Sequence, residues 1–209
     1  MPNITIIDYG LGNLRSIKNA FKHLGIECNL SCDKNTILNS DAIVLPGVGA
    51  FGHAMEILTE LNLISTISEF ANSGKPLLGI CLGMQLLFDE SDEFGVTKGL
   101  GLINGRVQKL KHVQKLPHIG WNSLCKNIDL KNTILDNLNE KTEFYFVHSY
   151  AVVTNEIYIL SSSKYDDITF CSSVKKENIY GCQFHPEKSG EFGLSVLENF
   201  INITKGHKC

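Results

Sequence analysis

Along the first ninety residues the apolar positions alternate between unbroken short runs and a helical spacing. Ile4 to Ile7 is an apolar run closed by Asp8-Tyr9-Gly10. Leu14, Ile17, Phe21 and Leu24 then recur at helical spacing, with Gly25 as the stop. Ile26 to Leu30 reads as a second strand, and Asp41 to Leu45 as a third, ended by Pro46-Gly47-Val48-Gly49. His53 to Phe70 reads as one helix, with Met55, Leu58, Leu61 and Ile67 among its apolar positions. Lys75 to Ile80 reads as a strand and Leu82 to Glu90 as the helix after it. Strands separated by helix-length segments predict βαβ units and a parallel sheet.

The second half changes rhythm. Short strand-like runs occur around Leu100–Leu110, Ile119–Cys125, Glu143–Val153, Ile157–Ser162, Ile168–Val174 and Ile179–Phe184, divided by turns such as Asn104-Gly105 and Asp166-Asp167. They are expected to extend or flank the sheet in antiparallel fashion. Gly190 to Ile203 reads as a closing helix, with Leu194, Leu197 and Phe200 or Ile201 on one face. The expected class is α/β, a central mostly parallel sheet flanked by helices, with added antiparallel strands in the second half. No linker-like stretch interrupts it, so residues 1–209 are expected to form one domain.

Composition narrows the function. Hydrophobic residues make up 43% and charged residues 20%, which suits a globular core. The net charge of −3 carries no nucleic-acid or anionic-membrane footprint. No apolar run approaches the roughly 20 residues that span a membrane. The cysteines at 28, 32, 81, 125, 171, 182 and 209 are scattered, with no Cys-x-x-Cys. That pattern is neither a disulfide framework nor a zinc site, and it suits a reducing cytoplasm.

Cys81 is the residue that points to chemistry. It lies in Gly79-Ile80-Cys81-Leu82-Gly83, between an apolar strand and a helix. A strand-to-helix turn with glycine on both sides is the geometry of a nucleophile elbow. Glycine is needed there because strand and helix press against the turn and leave no room for a Cβ. The N–H of Leu82 opens the helix and is a ready oxyanion donor, and the helix N-terminus favours the thiolate. Against this stands a small cysteine simply packed in a βα turn. Gln183-Phe184-His185-Pro186-Glu187 alters the balance. It follows the run Ile179–Cys182, and strand residues two apart share a side, so His185 and Glu187 can face one way. A histidine that takes the thiol proton and a carboxylate that orients it are what Cys81 needs. Gly47, Gly49 and Gly52 match a dinucleotide fingerprint, but they follow the third strand, Pro46 leads into the turn, and no acidic residue ends a following strand at the expected distance of about 20. A loop of exposed N–H groups that, together with the Leu82 amide, could form a two-donor oxyanion hole beside Cys81 is the better reading.

Gly-Ile-Cys-Leu-Gly-Met-Gln at 79–85, Pro-Gly-Val-Gly at 46–49 and His-Pro-Glu at 185–187 resemble the class I, triad-type glutamine amidotransferases. Asp8 to Leu14, Leu116 to Asn122, Tyr145 to Tyr150 and Gln183 to Gly190 narrow the resemblance to the glutaminase subunits of imidazole glycerol phosphate synthases. The resemblance runs over essentially the whole chain. It implies the class I glutamine amidotransferase fold, and hydrolysis of L-glutamine to L-glutamate and ammonia without metal or cofactor. The ammonia would pass to a (β/α)8-barrel cyclase in a heterodimer of the histidine pathway. It further implies Cys81 as nucleophile, His185 as base and acid, Glu187 as orienting carboxylate, and the Val48 and Leu82 amides as the oxyanion donors. Gly49, Gln85, Glu93, His148, Ser149 and Tyr150 would hold the substrate head group. Asn13, Arg15, Trp121, Tyr145 and Lys188 would lie near the partner. Asp166 is not followed by the expected glycine, and Asn104 replaces a frequent proline, so a related glutaminase serving surface-sugar modification stays open. A cysteine peptidase or esterase on a similar sheet, or a catalytically silent binding module, are the remaining alternatives.

Overall fold

The computed structural model describes residues 1–126, 129–138 and 142–207, so Cys209 lies outside the described residues. In chain order the elements are β1 (Ile4–Ile7), α1 (Leu14–His23), β2 (Asn29–Ser31), α2 (Lys34–Leu38), β3 (Ala42–Leu45), α3 (Phe51–Glu60), α4 (Leu63–Asn72), β4 (Leu77–Ile80) and α5 (Leu82–Leu86). There follow β5 (Phe88–Ser91), β6 (Thr97–Lys98), β7 (Ile103–Lys109), β8 (His118–Ser123), β9 (Cys125–Lys126), β10 (Glu143–His148) and β11 (Tyr150–Thr154). The chain ends with β12 (Ile159–Tyr165), β13 (Ile168–Lys176), β14 (Ile179–Cys182) and α6 (Gly190–Gly206). Short 3₁₀ turns cover Glu156–Tyr158 and Pro186–Lys188.

The main sheet has eight strands in the order β2-β1-β3-β4-β14-β13-β12-β9. The first five are parallel and the last three antiparallel. Strands β1, β3 and β4 are buried throughout, as expected where helices cover both faces. In β3, Ala42 and Val44 join the core beneath α1 and α6, while Ile43 and Leu45 join the core beneath α3 and α4. A four-stranded sheet, β11-β7-β5-β6, and a two-stranded ribbon, β10-β8, complete the fold. The pairing that matters most for function is β4 with β14. They run parallel in register, Ile80 opposite Cys182, so the segments that leave them emerge at the same end of the sheet.

Three sequence expectations need correction, and one element was not foreseen. The helix expected over 53–70 is two helices, because Asn62 turns left-handed at φ 55° between α3 and α4. Asparagine tolerates that conformation better than most residues, and the apolar spacing carries on across it. The helix expected over 82–90 ends at Leu86, and Phe88–Ser91 pairs in parallel with β7. The apolar run Leu86-Leu87-Phe88 suits a buried helix or a buried strand equally, and the partner strand decides. β14 joins the sheet parallel to β4, whereas the second half was expected to be antiparallel. The short helix α2 was not expected; Asp33 caps it by accepting the Thr36 N–H at 2.8 Å.

Candidate active site

Cys81 adopts φ 55° and ψ −112°, a conformation that costs a non-glycine residue free energy. Its surroundings impose that bend. A Cβ on Gly83 would come 1.8 Å from the Leu45 carbonyl oxygen, and one on Gly79 would come 2.7 Å from the Gly83 carbonyl oxygen. Neither neighbour can retreat, because both are backbone. The two glycines are thus the contact surface between β3, β4 and α5, and Cys81 takes the bend between them.

His185 lies at the end of the segment leaving β14. Its Nδ1 is 2.8 Å from Glu187 Oε1, and both side chains are buried. The two were expected to share the side of a strand. Instead β14 stops at Cys182, and Pro186–Lys188 forms a 3₁₀ turn that brings the carboxylate back beneath the ring. Proline supplies that turn with its first residue. Nε2 has no hydrogen-bond partner among the described protein atoms by strict geometry, but the Cys81 thiol lies close enough to act on it. Burial pushes the imidazole toward neutrality. Hydrogen bonding and charge from Cys81 and Glu187 outweigh burial and raise its pKa to about 10.

β10 holds this turn in place. The His185 N–H donates to the Tyr145 carbonyl at 2.9 Å, and the Tyr145 N–H donates to Ser189 Oγ at 3.0 Å. Two residues on, the Val147 carbonyl lies 3.9 Å from Cys81 Sγ. Carbonyls two apart on a strand point the same way, so one edge of β10 addresses both histidine and thiol.

Cys81, Leu82, Val48, Gly49, Gln85, Glu93, His148, Ser149, Tyr150 and His185 all border one cleft of about 380 Å³, with Pro117 and Val147. The sequence-derived catalytic, oxyanion and head-group residues therefore meet, except Glu187, which stands behind His185. Gly49 needs its glycine: its φ is +98°. Glu93 Oε2 accepts the Phe51 N–H at 2.7 Å, tying the β5–β6 hairpin to the start of α3. Burial first, then the charges of Glu93 and Asp92, push the Tyr150 phenol up, which marks that end of the cleft as electronegative. An ammonium group suits it. The His148 ring is spoken for: Nδ1 is 2.9 Å from the Tyr150 carbonyl and Nε2 is 3.1 Å from His118 Nδ1.

The family description Glutamine amidotransferase class-I matches residues 5–203. The chain belongs to that family. It is 46% identical to the imidazole glycerol phosphate synthase subunit HisH 1 of Legionella pneumophila (strain Lens), over 97% of this chain and 100% of the relative. It is 46% identical to the corresponding HisH subunit of Geobacillus sp. (strain WCH70), over 97% and 98%. The fold is shared with the structure of PurLQS from Thermotoga maritima, at TM-score 0.74 and 21% identity over 96% of this chain and 98% of the other. A crystal structure of a glutamine amidotransferase gives TM-score 0.75 at 18% identity, with the same coverage.

In this amidotransferase the residues expected near a partner do not border the cleft itself; they lie on the β8–β10 ribbon, the Pro186–Lys188 turn and the start of α1. Trp121, the single tryptophan, is 55% exposed and so is not part of the core. It stands opposite Tyr145 across the β8–β10 ribbon, edge to face at 6.0 Å. Lys188 Nζ lies 5.7 Å from the Tyr145 ring centre, and that ring is 6.5 Å from His185. Asn13 and Arg15 open α1, which packs against the Pro186–Lys188 turn. Three residues of the site stand in motifs of the sequence analysis that gave them no role. Tyr9 donates its hydroxyl to the Pro46 carbonyl at 2.8 Å and braces the glycine-rich loop; its place in Asp8-Tyr9-Gly10 was the available signal. Pro117 borders the cleft from a loop, and Gln183 approaches Cys81 from below.

Among the described residues, no helix is long and apolar enough to cross a membrane.

Proposed function

We propose that this chain is the glutaminase subunit of an imidazole glycerol phosphate synthase. It would hydrolyse L-glutamine and pass ammonia to a (β/α)8-barrel cyclase that makes imidazole glycerol phosphate and AICAR in the histidine pathway, in the cytoplasm. The observation that carries the reading is the convergence of Cys81, His185 and Glu187 at the shared end of β4 and β14, in a chain 46% identical to named subunits of that synthase.

The chemistry runs as follows. The Cys81 thiolate, its proton held on His185, attacks the carboxamide carbon, and the carbonyl electron pair moves onto oxygen. Val48 and Leu82 N–H groups receive that oxyanion. His185 delivers its proton to the amide nitrogen, the C–N bond breaks, and ammonia leaves a thioester. Water then gives His185 a proton and attacks the thioester carbon. The C–S bond breaks, glutamate leaves, and the thiolate–imidazolium pair is restored. Glu187 stabilises the imidazolium throughout. Glu93 takes the α-ammonium of the substrate, and Gly49 with the 148–150 segment takes the rest of its head group.

Coupling to the partner is part of this reading. The glycines beside Val48 let its peptide take more than one orientation, so the second oxyanion donor is not permanently fixed. Ile119 and Trp121 are exposed on the ribbon that also holds His185, a surface suited to a docking subunit. Glutamate release by the chain alone, compared with release in the presence of the cyclase and an acceptor analogue, should rise by about 10²–10³, the worth of one oxyanion donor. Equal rates would make the chain a self-sufficient glutaminase. Cys81→Ala should abolish glutamine-dependent synthesis while leaving synthesis from added ammonium salts intact. Amination of a surface-sugar precursor in place of cyclisation would move the chain to the paralogous branch.

A further inference from the structure

The buried amide of Gln183 touches the reacting sulfur, and its orientation is fixed by a chain of hydrogen bonds whose direction cannot be reversed. The anchor is the Tyr150 carbonyl, a backbone oxygen that only accepts. It accepts from His148 Nδ1 at 2.9 Å and from Gln85 Nε2 at 3.0 Å. Gln85 must therefore present its NH2 group on that side. The same Nε2 lies 2.9 Å from Gln183 Oε1. Gln183 must then present its oxygen to Gln85, which leaves its own NH2 facing Cys81 Sγ at 3.7 Å. The other arm is equally directed. His148 carries its proton on Nδ1, so its Nε2 is bare and accepts from His118 Nδ1. Burial keeps both imidazoles neutral, lowering His148 to about 3. His118 is itself clamped between Phe146 and Tyr165, at 5.4 and 4.1 Å between ring centres. Gln85, Gln183, His118 and His148 are all buried.

Sulfur meets different partners in its two states. As a thiol it has the Val147 carbonyl at 3.9 Å, which can accept its proton. As a thiolate it needs donors, and the Val147 carbonyl then faces it with like polarity. His185 supplies one donor. We propose that Gln183 is a positioning residue that supplies the other, with the His118–His148–Tyr150–Gln85 chain locking its amide so that an N–H always points at the thiolate. Charge-assisted hydrogen bonds are about twice as strong as neutral ones, so the amide favours the ionised sulfur. Neither bond nor proton is transferred through Gln183; it orients and polarises. The inference rests on Cys81 being the nucleophile.

The test reads sulfur ionisation without using the substrate, so it can fail separately from the glutaminase assignment. The intact chain is treated with iodoacetamide across a pH series, and labelling is quantified on the peptide containing Cys81, since Cys32 and Cys125 are exposed and react as well. Gln183→Glu keeps shape but puts an acceptor against sulfur, and Gln183→Met keeps length without a donor. Both should move the midpoint of Cys81 labelling upward by about one pH unit, and lower kcat in the partner complex about tenfold or more with little change in KM for glutamine. Gln85→Leu, which removes the lock but leaves Gln183, should move the midpoint in the same direction by less. A labelling profile coincident with the wild type, in whichever Gln183 variant retains its circular dichroism and melting transition, overturns the proposal. A lowered kcat with an unmoved profile assigns Gln183 a purely structural role and overturns it as well.

Discussion

Glu187 offers one carboxylate oxygen to His185 and keeps the other buried, with no hydrogen-bond partner among the described residues. A buried charge with one partner is stable only while that partner is a cation, so Glu187 and the His185 imidazolium sustain each other. Glu187→Gln preserves an acceptor for Nδ1–H and removes the charge. Glutamine turnover in the partner complex should fall by about 10- to 100-fold, less than the loss of about 10³-fold or more expected for His185→Ala. The Cys81→Ala/His185→Ala double variant should be no worse than either single one, because the two act as one unit. A double variant much slower than both would show that they work independently.

Between elements, Gly83 lies so close to Leu45, where β3 abuts the first turn of α5, that no Cβ fits between them. Gly83→Ala should destabilise the protein by about 1–3 kcal/mol, the usual cost of overpacking, read as a lower urea midpoint with an unchanged slope. It should also tilt α5 and depress turnover more than stability alone accounts for. This contact was legible in the sequence as glycine on both sides of a strand-to-helix cysteine. So were the parallel strands β1, β3 and β4, because burial on both faces writes an unbroken apolar run. The break at Asn62 was not, since the apolar residues Leu58, Leu61, Ile64 and Ile67 keep helical spacing across the turn, although Leu61 ends up exposed. Nor was β5, whose apolar residues suit either conformation until β7 lies beside them. The proposed triad was readable as residue types, but the 3₁₀ turn that brings Glu187 under His185 was not, because proline permits several turns and only the edge of β10 selects this one. Gln183 was quoted within a motif and left without a role; its chemistry exists only through Gln85 and Tyr150, partners far away in sequence.

At the scale of the molecule, two buried histidines respond to pH with opposite sign. His148 is depressed to about 3, chiefly by burial, so below the ordinary histidine value of 6.5 the unfolded chain binds a proton that the folded chain refuses. Its contribution is complete above that value and lost as pH falls toward 3. His185 is raised to about 10, so the folded chain holds the extra proton between 6.5 and 10. Its contribution is complete below 6.5 and lost as pH rises. Each unmatched proton is worth about 1.4 kcal/mol per pH unit. Urea unfolding from pH 5 to pH 9 should show a maximum near neutrality, with the acid limb flattened in His148→Gln and the alkaline limb flattened in Cys81→Ala. The Pro186–Lys188 turn is fastened to the β8–β10 ribbon through His185, and a two-stranded ribbon is the least self-supporting sheet a protein can build. It should therefore act as a thermal fuse. On slow heating, glutamine turnover should fail several degrees before the main sheet melts by circular dichroism, and a bound partner covering the ribbon should narrow that gap. The enzyme would then fall silent while its fold still stands, and recover on cooling without having to refold.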